Sequence, residues 1–282
     1  MRYCKYLSSE NDTFLPRYAL VEKRQGALWA TLPMQAPQED LNTRILGGVP
    51  IPTLAVDFEP TLLDDLHLLP PVTPSKIVCV GRNYRDHATE LGNDVPTEPL
   101  LFLKPPSSLL GPRGTIRMPA ISHRVDYEGE LGIVIGRRCY KIGPDEDVRP
   151  YIRGYVCVND VTARDIQKSD SQWTRGKGFD TFCPVGPFVS DEIDPCGFES
   201  KTAAPVTVTT RLNGVIKQQG STRDFIFSIP ELLRYITGTM TLEPGDLIPT
   251  GTPAGVGAVQ PGDSIQVEID GLGILENQFA AG

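Results

Sequence analysis

The chain has 282 residues, of which 40% are hydrophobic, as in an ordinary soluble globular protein with one large or two modest domains. Its 35 acidic residues outnumber its 27 lysines and arginines, which gives a formal net charge of -8 without a dense basic run. Nucleic acid and anionic membranes are therefore poor candidates for the main partner, and a small molecule is favoured.

The sequence contains no uninterrupted apolar window of about 18 residues, and its first residues do not resemble a secretory leader. We therefore expect a cytoplasmic protein. The six cysteines are scattered, without a C-x-x-C pair or zinc-finger spacing, and this favours reduced thiols in a core.

The first predicted elements are two strands, at residues 17–22 and 27–32, separated by a turn at Gln25 and Gly26. Three prolines in the five positions 70–74 then forbid a continuous helix and favour an extended linker. We place a domain boundary there. Residues 1–70 are predicted to form a small β-containing N-terminal domain, and residues 71–282 the main domain.

The main domain opens with a predicted strand at residues 77–81, which leads to His87 and Glu90. In a helix, residues three apart share a face, and a carboxylate beside an imidazole would orient it as a general base. The alternative interpretation is an ordinary surface pair, and the spacing by itself leaves both interpretations open.

Glu128 and Glu130 flank one glycine just before the apolar run 131–135, which predicts a strand entering a core. Alternate residues of a strand point the same way, so both carboxylates would address one point. Asp160 adds a third acid at the end of the next apolar run. Such acid pairs also occur on exposed edge strands, but charges entering a core need a partner. Three oxygen ligands without Cys or His indicate Mg²⁺, Mn²⁺ or Ca²⁺.

The rest of the chain is mostly short β-rich runs broken by Gly and Pro. Residues 206–212 and 215–218 predict a hairpin closed by an Asn-Gly turn, and residues 228–236 predict an amphipathic helix that packs on the core. Pro-Gly-Asp sequences at 244–246 and 261–263 predict turns that lead into strands. The predicted fold class is therefore α+β and rich in strands.

Five motifs occur along the main domain in an order typical of one family. They are Gly81-Arg-Asn-Tyr-x-x-His-x-x-Glu90, Asp126-Tyr-Glu-x-Glu-Leu131, Asn159-Asp-Val-Thr-Ala-Arg-Asp165, Gly176-Lys-Gly-Phe-Asp-Thr-Phe-Cys-Pro184 and Thr250-Gly-Thr-Pro-Ala-Gly-Val-Gly257. Together they resemble the fumarylacetoacetate hydrolase family over residues 74–279. The resemblance implies a mixed β-roll, a strand-rich core with few helices, and a homodimer in which residues 71–282 form the catalytic domain.

Carried over by motif position, the resemblance implies a Mg²⁺ or Mn²⁺ site at Glu128, Glu130 and Asp160. It further implies that His87 and Glu90 form an acid–base dyad on a lid segment. The expected partner is a small 2-oxo acid.

Other site residues also follow from the resemblance. The implied active-site lysine is Lys177, and the implied substrate-binding residues are Arg82, Tyr84, Gln167 and Thr252. One departure is Gly178, where many relatives carry serine, and a pocket of different shape is expected next to Lys177.

The chemistry that the family implies is formation of an enolate next to a ketone. The leading hypothesis is a metal-dependent hydrolase that cleaves the carbon–carbon bond of acylpyruvate-type 2,4-dioxo acids. The alternatives are an isomerase or decarboxylase of unsaturated oxo-dicarboxylic acids from aromatic catabolism, or an oxaloacetate decarboxylase, because all share that enolate. A non-catalytic binding protein is expected to have lost a metal acid or the dyad, and this sequence has both.

Overall fold

The structure is a computed structural model that describes residues 1–10, 13–37, 58–90, 94–195 and 204–282. The strands are β1 (Arg2–Glu10), β2 (Thr13–Arg24), β3 (Ala27–Met34), β4 (Thr61–Leu62), β5 (Leu68–Leu69), β6 (Ile77–Gly81), β7 (Leu100–Lys104), β8 (Leu109–Leu110), β9 (Thr115–Met118), β10 (Val125–Tyr127), β11 (Gly129–Ile135), β12 (Ile152–Asn159), β13 (Thr162–Ala163), β14 (Cys183–Ser190), β15 (Thr207–Leu212), β16 (Val215–Ser221), β17 (Leu247–Pro249), β18 (Gly257–Ala258), β19 (Ser264–Ile269) and β20 (Gly273–Ala281).

Helices are few and short by comparison with the strands. They are α1 (Arg85–Glu90), α2 (Arg164–Ser169), α3 (Thr174–Lys177) and α4 (Ile229–Thr239), with 3-10 turns at Leu63–Asp65, Pro106–Ser108, Arg149–Tyr151 and Thr222–Asp224. None of the helices in the described ranges is long and apolar enough to span a membrane.

Within the described residues, twelve strands form the largest sheet. Their order is β4-β3-β2-β1-β14-β12-β11-β17-β6-β7, with β5 beside β1 and β8 beside β14. A five-stranded sheet runs β16-β15-β19-β20-β9, and a small sheet runs β13-β10-β18. Most neighbours are antiparallel, but β6–β17, β8–β14 and β9–β20 are parallel pairs. This mixed, strand-rich architecture confirms the predicted fold class.

Both predicted hairpins are confirmed, and their turn residues explain why they form. Gln25 (φ 49°) and Gly26 (φ 88°) connect β2 to β3, while Asn213 (φ 50°) and Gly214 (φ 79°) connect β15 to β16. Positive φ at both central residues gives a turn whose twist matches that of the flanking strands, and Asn and Gly adopt it most readily.

The N-terminal strands extend the large sheet. Strand β1 pairs antiparallel with β14, with Arg2 opposite Ser190 and Tyr3 opposite Val189. Part of the predicted N-terminal domain, residues 38–57, lies outside the described residues. The division of the chain near residue 70 stays a prediction.

Helix α4 confirms the helix predicted at residues 228–236. It begins with a capping box, in which the Ser228 side chain accepts from the Glu231 N–H and the Glu231 carboxylate accepts from the Ser228 N–H. Its side chains Leu232 and Ile236 are fully buried in the main core, together with residues of the large and five-stranded sheets such as Ile133.

The cysteines that the structure describes are free and buried, which confirms the prediction of core thiols for five of the six. The sixth, Cys196, lies outside the described residues. Burial raises the pKa of Cys183 to about 12, so its thiol stays protonated at neutral pH and is a poor nucleophile.

Both Pro-Gly-Asp sequences form the predicted turns, which lead into β17 and β19. In each turn the aspartate accepts a hydrogen bond from the N–H three residues earlier, at 2.8 Å for Asp246 and 2.7 Å for Asp263. Asp246 is fully buried and also accepts from the N–H groups of Ser75 and Lys76, at 3.0 and 3.1 Å. It therefore ties the linker before β6 to the start of β17.

Replacing Asp246 by alanine should lower the free energy of unfolding by about 2–4 kcal/mol, because its fully buried carboxylate pairs with Lys76 and accepts from three N–H groups on two separate segments. The matched control is Asp263→Ala in the partly exposed copy of the turn, which should cost about 1 kcal/mol. Urea denaturation followed by tryptophan fluorescence measures both losses. Equal losses would show that the local turn, and not its buried contacts, supplies the stability.

Candidate active site

Two of the three acids lie where two adjacent strands leave one sheet for another. β11 and β12 pair in the large sheet, and the segments just before β11 and just after β12 pair again as β10 and β13 in the small sheet. Glu128 and Asp160 occupy the crossing between these ladders, where the Asp160 N–H donates to the Glu128 carbonyl at 2.8 Å. The crossing therefore holds the two residues side by side.

Two glycines bring backbone close to the acids. A Cβ at Gly129 would lie 2.1 Å from Thr210 Oγ1, so the residue between Glu128 and Glu130 must be glycine for β15 to pack there. Gly251, whose φ of +99° suits glycine, donates its N–H to Glu130 at 2.8 Å. The glycine of the Glu-Gly-Glu sequence is thus required for β15 to pack there, while the two glutamates on either side supply the carboxylates.

The three carboxylates form a cluster that can hold a metal ion. Ligand atoms of Glu128, Glu130 and Asp160 lie within 4.8 Å of one another, and all three residues are buried. Burial, followed by the charges of Asp160 and Glu128, raises the pKa of Glu130. Glu130 forms no ion pair with a cation in the described part of the chain, so its ionisation calls for further positive charge. An all-carboxylate donor set fits a hard divalent cation.

Lys177 lies against two of these acids. Its Nζ donates to Glu128 at 2.7 Å and to Asp160 at 2.5 Å. Although burial acts in the opposite direction, these carboxylates raise the pKa of Lys177, which stays charged. At the neighbouring Gly178 a Cβ would lie 2.5 Å from the Thr174 carbonyl oxygen, so the backbone after α3 fits glycine at this position.

Two buried cations of the site, Lys104 and Arg164, were not predicted from the sequence. Lys104 Nζ donates to Asp160 Oδ1 at 2.5 Å and to the Val161 carbonyl at 3.1 Å. Arg164 donates to Asp126 at 2.9 Å and also contacts Glu128. The available signals were a lysine ending the apolar strand β7 and an arginine inside the motif that follows Asp160, since buried charges need buried partners.

Thr252 lies on the cavity wall, but the protein already binds its hydroxyl. The hydroxyl donates to the Gly129 carbonyl at 2.9 Å and accepts from Gln218 Nε2 at 2.8 Å. Gln218, also absent from the sequence predictions, is fixed by Pro253 and by the Gly129 N–H. The only hydroxyl proton of Thr252 is therefore already donated within the protein. The hydroxyl can interact with a ligand only by accepting a hydrogen bond through its remaining lone pair.

His87 and Glu90 share helix α1, as predicted. The side chain of His87 is buried, and its Nδ1 lies 3.5 Å from Glu90 Oε2, longer than a normal hydrogen bond. Glu90 also accepts from the Gly255 N–H at 3.0 Å. Burial lowers the pKa of His87 against the opposing effect of Glu128 and Glu90. The imidazole is accordingly neutral at neutral pH and able to accept a proton. Residues 91–93 of the predicted lid lie outside the described residues.

A cavity of about 320 Å³ brings the predicted site residues together, with the exceptions of Tyr84 and Glu90. Tyr84 is buried, and its ring meets Phe225 edge-on at 5.0 Å. Phe102 and Trp173 supply the aromatic part of the wall. The cavity thus combines an acid cluster, a neutral imidazole and fixed cations with an apolar side.

The chain is similar to several known proteins. The family described as fumarylacetoacetate (FAA) hydrolase, C-terminal, matches residues 76–280. Oxaloacetate tautomerase YisK of Bacillus subtilis is 42% identical over 76% of this chain and 72% of its own. The mitochondrial oxaloacetate decarboxylase of Dictyostelium discoideum is 47% identical over 71% and 91% respectively. The crystal structure of 2-hydroxyhepta-2,4-diene-1,7-dioate isomerase from Mycobacterium marinum has a TM-score of 0.80 and 38% identity, covering 100% of this chain and 98% of that one.

Replacing Lys104 by methionine, which preserves most of its length, should lower the free energy of unfolding by about 3–5 kcal/mol, because Asp160 loses a buried cationic partner. The double variant Lys104→Met/Asp160→Asn should lose less than the sum of the single variants. Chemical denaturation of the four proteins completes the double-mutant cycle. Strictly additive losses would contradict a direct interaction.

Proposed function

The chain belongs to the fumarylacetoacetate hydrolase family, and we propose that it is a divalent-metal-dependent enzyme that forms an enolate from a 2-oxo dicarboxylic acid such as oxaloacetate. The observation that carries this proposal is the buried cluster of Glu128, Glu130 and Asp160 in a cavity shared with His87 and Lys177. Mg²⁺ or Mn²⁺ suits such a cluster. The names tautomerase, decarboxylase and isomerase among the similar proteins add support, because each such reaction of a 2-oxo acid passes through an enol or enolate.

Charge balance in the network supports a substrate that becomes doubly negative at the acid cluster. Asp126, Glu128 and Asp160 pair there with four cationic side chains, whereas Glu130 has no cationic partner among the described residues; the cations are Lys104, Arg124, Arg164 and Lys177. A divalent cation adds two positive charges, which a buried site accommodates poorly without matching negative charge. The carboxylate and enolate oxygen of a 2-oxo acid supply that match.

The chain's own residues account for the proton movements. Neutral His87 accepts a proton from the carbon next to the ketone, and Glu90 stabilises the imidazolium that results. Lys177 and Gln167, both on the cavity wall, offer donors to the oxygen on which negative charge develops. A divalent cation, when bound, supplies positive charge that lowers the energy of the enolate.

The route to the enolate separates the reactions within the proposal. When His87 has taken a proton from carbon, return of that proton to oxygen completes a keto–enol tautomerisation. In the decarboxylation the keto form instead loses the bond to its distal carboxylate: carbon dioxide leaves, its bonding electrons form the enolate of pyruvate, and a proton taken up from solvent and relayed by His87 reaches the carbon. Both routes use the same groups.

Hydrolysis of acylpyruvates is the second candidate, because the His87–Glu90 pair could also deprotonate a water that attacks the distal carbonyl. Attack would break the carbon–carbon bond and release the enolate of pyruvate. The hydrolase activity, the homodimer and the cytoplasmic location stay predictions.

Chelator-stripped protein reloaded with Mg²⁺ or Mn²⁺ tests the proposal on oxaloacetate, acetylpyruvate and an unsaturated oxo-dicarboxylate. Ultraviolet absorbance follows the enol, and coupled lactate dehydrogenase follows pyruvate. We expect metal-dependent conversion of oxaloacetate. Conversion of acetylpyruvate alone would favour the hydrolase, and inactivity of the loaded protein towards all three would favour a non-catalytic binding protein.

Replacing His87 by asparagine should lower kcat by about 100-fold or more, because the proton acceptor is lost, while Mn²⁺ affinity stays within about three-fold. The matched control is His123→Asn at an exposed histidine, which should change neither quantity. Steady-state kinetics and titration calorimetry measure the two effects. A parallel loss of metal affinity in the His87 variant would contradict its role as a base.

The wild-type pH profile provides an independent check. Because burial lowers the pKa of His87 from 6.5, the base is already neutral at neutral pH. We expect kcat/KM to be level above about pH 6.5 and to fall only below it, as the imidazole becomes protonated. If the midpoint of the kcat/KM profile lies above the ordinary histidine pKa of 6.5, the titrating group is not His87.

A further inference from the structure

Two cations on the cavity wall have no carboxylate partner among the residues that the structure describes. They are Arg82 and Lys168, whereas the other lining cations, Arg164 and Lys177, form buried ion pairs. Positive groups without internal partners remain available to a ligand. The cavity therefore offers anion-binding capacity in addition to the acid cluster.

Lys168 faces the cavity for a simple geometric reason. Helix α2 carries Arg164, Gln167 and Lys168, and positions i, i+3 and i+4 of a helix lie on one face. All three side chains line the cavity. Arg164 is buried among carboxylates, while Lys168 is exposed, so the helix runs from the acid cluster towards solvent.

Arg82 is positioned by an aromatic ring in place of a carboxylate. It follows β6 with a φ of 56°, and its guanidinium carbon lies 5.8 Å from the centre of the Trp173 ring. Trp173 in turn packs edge-on against Phe102 at 5.3 Å. A cation held over a ring face keeps its N–H groups available for an anion.

The carboxylate of Asp170 also lines the cavity, but it is already paired. Arg175 donates to both of its oxygens, at 2.7 and 2.6 Å. Asp170 therefore neither pairs with Lys168 nor leaves a negative charge that would repel a ligand anion.

We propose that Arg82 and Lys168 form a subsite for the distal carboxylate of a 2-oxo dicarboxylic acid, and that they select dicarboxylic over monocarboxylic substrates. The inference rests on the proposed function, in which the 2-oxo acid end of the substrate lies at the acid cluster. The negative charge of the 2-oxo acid end is matched there by the added divalent cation. The distal carboxylate therefore needs separate cationic partners, and Arg82 and Lys168 supply them.

Kinetic selectivity gives the first test, on metal-loaded protein. Lys168→Met should lower kcat/KM for oxaloacetate about ten-fold and leave acetylpyruvate within about two-fold, since only oxaloacetate carries the distal carboxylate. Lys168→Arg should retain most of the selectivity because it keeps the charge. Lys23→Met, at an exposed lysine outside the cavity, is the matched control and should leave both values unchanged. Equal losses on both substrates would overturn the subsite.

Binding gives a second test that does not depend on turnover. Malate and lactate share a 2-hydroxy acid end, and malate alone has the second carboxylate. Calorimetry should show that Mg²⁺-loaded wild-type protein binds malate more tightly, and that Lys168→Met and Arg82→Gln each reduce this preference. If the preference is present without turnover of any substrate, the proposed function fails and the subsite stands. If wild-type protein has no preference, or Lys168→Met keeps it in full, the subsite is wrong whatever the activity.

Discussion

The rest of the structure depends on how the buried carboxylates are kept charged. Removing Glu128, Glu130 and Asp160 from water is costly, and each needs a nearby cation to remain ionised. Lys177 and Lys104 meet part of that need. The raised pKa of Glu130 shows that this carboxylate still lacks enough nearby positive charge to stay ionised. A divalent cation is the simplest group that would satisfy all three acids at once.

The fold brings the acids together with the other residues of the site from segments that are far apart in the sequence. Glu128 and Asp160 come from a crossing of two sheets, His87 from a short helix after β6, and Thr252 from the loop after β17. The paired sheets fix the backbone on which the acids stand, so their separation does not depend on flexible loops. A site built on such elements holds its geometry better than one built on loops.

Features set by near neighbours could be predicted from the sequence. The Asn-Gly hairpin, the helix after Ser228 and the Glu-Gly-Glu pair each depend on residues a few positions apart. Lys104 could not be assigned, because its partner Asp160 is 56 positions away and nothing local identifies it. The same limit applies to the contact of Tyr84 with Phe225, while the substrate role that the resemblance implies for Tyr84 stays a prediction. Contacts of that kind are decided by tertiary packing.

The pairing of β1 with β14 has a consequence for solubility. An exposed sheet edge presents free N–H and C=O groups on which a strand of another molecule can align, and very short edge strands limit this. Among the residues that the structure describes, the large sheet continues from β14 through β1, β2 and β3 and ends on that side at β4, which is only two residues long. The N-terminal strands thereby cover β14 at Val189 and Ser190 and move the edge of the sheet away from it, although none of their described residues lines the cavity.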